Sequence, residues 1–330
     1  MNVLYIIGNG LDLSVGMKTD YQSFYDFYKI QQSKDPDILQ MKASIEAGRF
    51  QTWADLEAGL GHFTKDIESE SIFLKCLNNI KESLGTYLNQ RFSLKKYGVQ
   101  NRFVDDFYTP FNYLDDQIKE NYQRFINRFS ISKIGYNLHI VTLNYTETIE
   151  DIYKKLRIDC PSILHLHGSL EEGMVMGVSD VKQIANESFH KSRNVLEEFV
   201  KPLFNEACLN NNNSLCERWI KESELIVLFG TSLGATDRKW WRLIGTQLQK
   251  ESKDILLMYF AFDKDKDIRL HPNYRLRWME EYQRSLLAKL EIPDNKKDIV
   301  LSRICIGINK PIFQLGKLIK DVVPISSITE

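Results

Sequence analysis

Six short apolar runs punctuate the chain: Val3–Ile7, Leu138–Leu143, Ser162–Leu166, Leu225–Phe229, Ile255–Ala261 and Ile299–Ile306. Continuous apolar runs of this kind suit strands buried on both faces. Helical patterns lie between them, over Glu147–Leu156, Glu187–Ala207 and Asp237–Lys250. Strands alternating with helices predict a mainly parallel, doubly wound, Rossmann-like α/β sheet covered on both faces. After the first run comes a long glycine-containing loop. Thr19-x-x-Gln22 then reads as a capping box opening a helix through Tyr21, Phe24, Tyr25 and Tyr28.

From about residue 36 to 130 the strand-like runs vanish. Apolar residues recur at helical spacing, as in Phe73, Leu74, Leu77, Ile80, Leu84 and Leu88, and Thr52-x-x-Asp55 could cap a further helix. The expected organisation is an α/β nucleotide-binding core of residues 1–35 and 131–330 carrying a helical insertion over 36–130. No internal repeat is visible.

Composition narrows the function. The chain has 330 residues, 43% hydrophobic and 26% charged, which fits two domains or one large α/β domain with an insertion. Its 43 basic and 44 acidic residues leave a net charge of −1, which argues against a protein that works by coating nucleic acid; a local basic groove stays open. The start, Met1 to Gly8, has no basic region ahead of its apolar run and does not read as a secretory signal. The apolar stretches at Leu225–Phe229 and Ile255–Phe262 fall far short of the ~20 residues that span a bilayer. Five scattered cysteines (Cys76, Cys160, Cys208, Cys216 and Cys305) include no C-x-x-C pair. That spacing speaks against a disulfide framework and against a cysteine zinc site. The expectation is a cytoplasmic protein, without membrane contact and without a metal.

In a parallel sheet, ligands bind outside the carboxyl ends of the strands. Four motifs fall there. Gly8-Asn9-Gly10-Leu11-Asp12, with Gly16 beyond, would let backbone amides approach a phosphate. The dinucleotide fingerprint needs glycine where Leu13 stands, no P-loop lysine follows, and a plain strand-to-helix turn reads as well. In Thr142-Leu143-Asn144-Tyr145-Thr146, Asn144 could hold a sugar hydroxyl or a water, or cap the next helix, the commoner use. In His165-Leu166-His167-Gly168-Ser169, alternate residues share a face. A metal pair there lacks a third ligand. His167 suits a general base, Gly168 admits a ligand close to the backbone, and His165 reads as a core histidine donating to a carbonyl. Gly230-Thr231-Ser232-Leu233-Gly234-Ala235-Thr236-Asp237 brings small residues and hydroxyls suited to phosphates and ribose. Asp237 would bind a hydroxyl or cap the helix holding Trp240 and Trp241, which read as core or interface.

The order and placement of these motifs resemble the sirtuin-like superfamily of NAD-consuming proteins. The first loop matches its G-A-G-x-S in position, Thr142-Leu143-Asn144 its T-x-N, His167-Gly168-Ser169 its H-G-S, and Gly230-Thr231-Ser232-Leu233 its G-T-S-L. More narrowly, residues 1–260 resemble the AbiH family of bacteriophage abortive-infection proteins. That match rests on Ile6-Ile7-Gly8-Asn9-Gly10-Leu11-Asp12, Trp53-Ala54-Asp55-Leu56-Glu57, Thr142-Leu143-Asn144-Tyr145, His165-Leu166-His167-Gly168-Ser169 and the run from Gly230 to Asp237. Two departures count against lysine deacylation: the paired C-x-x-C zinc module is missing, and Lys18-Thr19-Asp20-Tyr21 stands where sirtuins carry P-D-F-R.

The resemblance implies an anti-phage effector that hydrolyses NAD, as substrate, at the nicotinamide–ribose bond. In the zinc-free defence branch, the Asn of T-x-N and the His of H-G-S are the catalytic pair, and they correspond to Asn144 and His167. Gly8, Asn9, Gly10, Asp12, Gly168, Ser169, Gly230, Thr231, Ser232 and Asp237 would line the substrate. Glu57 either reaches the pocket or is an exposed helix carboxylate. The alternative is a non-catalytic sensor of NAD or a related nucleotide, or a regulatory partner in phage defence. A nuclease toxin is a third reading, against which the neutral charge and the want of a paired metal-binding carboxylate motif both speak. A phage-derived trigger, a homo-oligomer and a partner protein are each compatible with such an effector.

Overall fold

The computed structural model describes residues 1–48, 53–93, 101–131, 135–268 and 270–314. The chain opens with β1 (Asn2–Ile7), α1 (Gly10–Ser14), α2 (Tyr21–Ile30), α3 (Pro36–Gly48), α4 (Trp53–Phe63), α5 (Glu70–Ser93), α6 (Asn101–Tyr108), α7 (Asp116–Asn121) and α8 (Gln123–Ile131). Next come β2 (Asn137–Thr142), α9 (Thr148–Leu156), β3 (Ser162–His165), β4 (Gly168–Ser169), β5 (Gly173–Met174), α10 (Arg193–Phe199), α11 (Lys201–Ala207) and α12 (Asn212–Glu222). The last part holds β6 (Leu225–Phe229), α13 (Arg238–Leu248), β7 (Leu256–Ala261), α14 (Arg275–Lys289), α15 (Lys297–Leu301) and β8 (Ile304–Ile308).

Six strands form one sheet in the order β3-β2-β1-β6-β7-β8, and every neighbouring pair is parallel. β4 and β5 make a separate small antiparallel hairpin. This is the doubly wound α/β arrangement that the alternating pattern predicts. Burial explains the continuous apolar runs. In β1, Val3, Tyr5 and Ile7 face one hydrophobic cluster while Leu4 and Ile6 face another. β6 divides in the same way, with Leu225 and Val227 on one side and Ile226 and Leu228 on the other. Helices α6, α8 and α9 cover the first face through Phe103, Phe107, Phe125, Phe129 and Ile152. Helices α12, α13 and α14 cover the second, with Trp240 and Trp241 both buried in it.

A third cluster lies off the sheet. It joins α2 to α5 with the segment from Met176 to Val200, through residues such as Phe24, Leu60, Phe73, Leu77 and Phe199. The hydrophobic contacts thus group the helices between β1 and β2 in two sets. One set belongs to the face of the sheet and the other to a lobe shared with residues that follow β5.

Four local expectations are corrected. The glycine-containing loop includes a short helix, α1. The cap of α2 is Asp20, whose carboxylate accepts from Ser23 N at 2.9 Å; Thr19 instead donates to Asn9 Oδ1 at 2.6 Å. A charged carboxylate at a helix N-terminus also meets the favourable end of the helix dipole. The run Ile299–Ile306 is not one strand: α15 takes Lys297–Leu301 and β8 starts at Ile304. Apolar runs this short do not separate strand from buried helix. Nor is Glu187–Ala207 one helix. A tight turn covers Glu187–Lys191, Ser192 caps α10 by accepting from Val195 N, and Val200 is extended to pair with Val178 before Pro202 helps open α11. Thr52, read as the cap of α4, lies outside the described residues, as do residues 94–100 within the expected helical stretch. All five cysteines are free thiols. Among the described residues, no helix is long and apolar enough to cross a membrane.

Candidate functional site

β1 lies at the centre of the sheet, where the chain path reverses: β2 and β3 run outward on one side, β6, β7 and β8 on the other. Crevices form at the carboxyl ends of strands flanking such a reversal. Here the loops after β1 and β6 are pressed together. Gly8 N donates to Phe229 O at 2.9 Å and Gly10 N to Gly230 O at 2.8 Å. A Cβ on Gly10 would stand 2.4 Å from Gly230 Cα, and Gly230 itself has φ +66°. These glycines are needed for backbone to touch backbone. The amides of Gly8 and Gly10 are thus spent on the opposite loop, while Gly10 still lines the cleft described next.

A cleft of about 430 Å³ opens over this junction, with Asn9, Gly10, Gly230, Thr231 and Ser232 in its lining. Four ionisable side chains meet in its wall. His167 Nε2 lies 2.8 Å from Asp237 Oδ1, a close contact whose angle is poor for a hydrogen bond. Lys201 Nζ lies 3.5 Å from the same oxygen and 3.0 Å from Glu57 Oε2. Glu57 Oε1 accepts from Gly177 N at 3.2 Å. All four line the cleft and all are largely withdrawn from water. Burying ions is costly unless they are paired, and the pairing dominates here. Burial opposes the Lys201 charge, yet Asp237 and Glu57 together leave its pKa raised. Burial pushes the Asp237 carboxyl up, while Lys201 and His167 act more strongly and hold it well below the usual carboxylate range.

The fold brings these residues from distant places. Glu57 rides on α4, tied to the segment beyond β5 by the bond from Ala185 N to Gly61 O at 3.0 Å. Lys201 is the first residue of α11, and its amide donates to Val178 O at 2.9 Å. Asp237 ends the loop after β6, which Trp241 steadies by donating from Nε1 to Gly234 O at 2.9 Å. Asp237 does not cap α13 with its side chain.

The other residues singled out from the sequence lie as follows. Asn144 is 7% exposed and lines a separate pocket of about 40 Å³ with Asp12, Thr146 and Asn9; Asn9 lines both spaces. The Asn9 side chain is held by Thr19, donating to Thr19 O and accepting from its hydroxyl. Asp12 is buried and accepts from Thr146 and Thr148 at 2.6 and 2.7 Å, which makes it a structural anchor between α1 and the start of α9. Gly168, at φ +72°, would put a Cβ 1.9 Å from Gly173 O, so its small size serves the hairpin. Ser169 Oγ accepts from the amides of Glu171 and Glu172 in the same turn. His165 reaches Glu150 Oε1 at 2.8 Å through Nε2 and Asn144 O at 3.1 Å through Nδ1, as a histidine bonded to a carbonyl should. Among the described residues, no group of three or more His, Cys, Asp or Glu is placed to hold a metal. A larger cavity, about 640 Å³, opens beside Arg102, Tyr108 and Tyr136 and contains none of the strand-end residues.

Glu57 belongs to the cleft rather than to an exposed helix face. Lys201 belongs to none of the strand-end motifs. One signal pointed to it: Pro202, inside an otherwise helical pattern, marks a fresh helix start and puts Lys201 at its first position.

No curated protein matches the chain. The family model described as "Bacteriophage abortive infection AbiH" matches residues 4–259. That span runs from within β1 into β7 and takes in Glu57, His167, Lys201 and Asp237. The chain therefore belongs to the AbiH family, which gives it a role in abortive infection by bacteriophage.

Proposed function

We propose that the cleft binds NAD and that the protein hydrolyses its nicotinamide–ribose bond as the effector step of abortive infection. The observation that carries this reading is His167, beside the Asp237–Lys201–Glu57 chain, in a cleft at the point where the strand order reverses. The sirtuin-like pattern of the same strand-end segments supports the choice of substrate.

His167 sets Nε2 against Asp237, and its other ring nitrogen, Nδ1, is the one that takes the proton in this reading. Cleavage passes through an oxocarbenium-like state. Water adds its oxygen to the ribose C1′ and gives a proton to His167. The bond from C1′ to the pyridinium nitrogen breaks, and its electron pair leaves with neutral nicotinamide. The imidazolium so formed is stabilised by Asp237, and Lys201 keeps Asp237 ionised. Thr231 and Ser232 supply hydroxyls for the ribose and phosphates. Asn144, in the adjoining pocket, acts as a positioning residue.

The test is chromatography of NAD after incubation with purified protein, with and without phage components. Wild type should release nicotinamide, and His167→Ala should lose roughly 100- to 10,000-fold in rate, the usual worth of a positioned base. Asn144→Ala should lose less, mostly in kcat rather than KM. Binding of NAD with no release under any condition would replace hydrolysis by the sensor reading. Equal turnover by His167→Ala would remove His167 as the base.

A further inference from the structure

Phe262 follows directly on β7 and is 84% exposed, although it lines the same cleft as His167. An exposed phenyl ring leaves a large apolar surface in water that packing would bury. Among the described residues lining the cleft, the other phenyl and phenol rings are withdrawn: Tyr21 and Phe260 are buried and Tyr259 is half-buried. The cleft is thus two-ended. The charged cluster draws His167 from just past β3, and Phe262 stands past β7. In the sheet order those strands are four positions apart, and the His167 ring reaches across to Asp237 in the loop after β6. The hydroxyls of Thr231 and Ser232, past β6, lie between. A polar, reactive end, a hydroxyl-lined middle and a bare aromatic ring at the far end match a ligand with two ring systems joined by a charged linker.

We propose that Phe262 is a specificity-determining residue that stacks on the aromatic base of a nucleotide whose other end reaches His167. This rests on the nucleotide-site reading above and adds its orientation: base towards Phe262, scissile bond towards His167. The stacking is sequence-tolerant in kind, since every base presents a flat π face. It makes the base, not the sugar-phosphate, the part of the ligand that depends on β7.

The test is calorimetric binding of ADP-ribose, AMP and ribose 5-phosphate to full-length wild type, Phe262→Ala and Phe262→Trp. Loss of one stacking partner should weaken ADP-ribose and AMP by roughly 5- to 150-fold in Phe262→Ala. Phe262→Trp should retain them, and ribose 5-phosphate, which has no base, should bind all three alike. The exposed position predicts the same thermal melt for all three proteins. If wild type binds ADP-ribose and Phe262→Ala binds it as tightly, the stacking is overturned and the nucleotide site stands. If wild type binds neither ADP-ribose nor AMP, both fall. If the Ala variant alone loses binding and nicotinamide is never released, Phe262 keeps its role and the hydrolysis reading fails by itself.

Discussion

Lys201 has two carboxylates within 3.5 Å and almost no contact with water. Replacing it with Met would leave Glu57 and Asp237 together without their cation. Breaking a buried ion pair from one side typically costs about 3–5 kcal/mol. Chemical denaturation of Lys201→Met should show a loss of that order, and a loss under about 1 kcal/mol would mean that solvent reaches the cluster. The two strand-end histidines should separate cleanly. His165 is tied to Glu150 and to Asn144 O, so His165→Ala should lower the melting temperature more than it lowers nicotinamide release, the reverse of His167→Ala. His165 also sets a pH dependence. Burial lowers its pKa, but the hydrogen bond and charge of Glu150 act the other way and the net shift is upward. A raised folded pKa stabilises the protein fully below the unfolded value of ~6.5, and that stabilisation fades as pH rises through the folded value. Melting temperatures across this range should fall with rising pH in wild type and fall less steeply in Glu150→Gln; parallel slopes would sink the assignment.

At the scale of elements, the meeting of the β1 and β6 loops offers the sharpest test. Gly16 and Gly230 both have positive φ, but a Cβ on Gly16 meets nothing within 4 Å, whereas one on Gly230 stands 2.8 Å from Gly10 Cα. Gly16→Ala should therefore cost only backbone strain, about 1–3 kcal/mol. Gly230→Ala should cost clearly more, since backbone on both sides must move; equal losses in paired melts would show that the two loops separate freely. The same elements show what the sequence discloses. Strands such as Leu225–Phe229 are legible because burial on both faces leaves no polar position in them. The stretch from Glu187 to Ala207 misleads because Val200 leaves the helix to pair with Val178, a partner that no local pattern announces. In the site, His167 and Asp237 are legible from their places after strands. Lys201 is not, because its meaning comes from Glu57, brought against it from α4. The glycines of the first loop are visible, but the close approach of the opposite loop, which takes their amides, is not.

Taken whole, the molecule supports its charged cluster from two hydrophobic bodies. The lobe of α2 to α5 holds Glu57 and packs on the segment leading into Lys201, where Phe73 meets Phe199 edge-on at 5.0 Å. Phe73 is fully buried, so Phe73→Ala should cost about 3–5 kcal/mol. It should also speed amide exchange over residues 196–204 relative to β6, and exchange unchanged there would mean that the lobe does not brace α11. The pairing of β1 with β6 joins Val3 to Leu225 at the middle of the sheet. While the chain is being synthesised, β1 waits beside an unfilled edge until residue 229 has left the ribosome, and Asp237 comes later still. A nascent or truncated chain therefore has no complete cleft. Any activity that needs this cleft must wait until translation has passed that point.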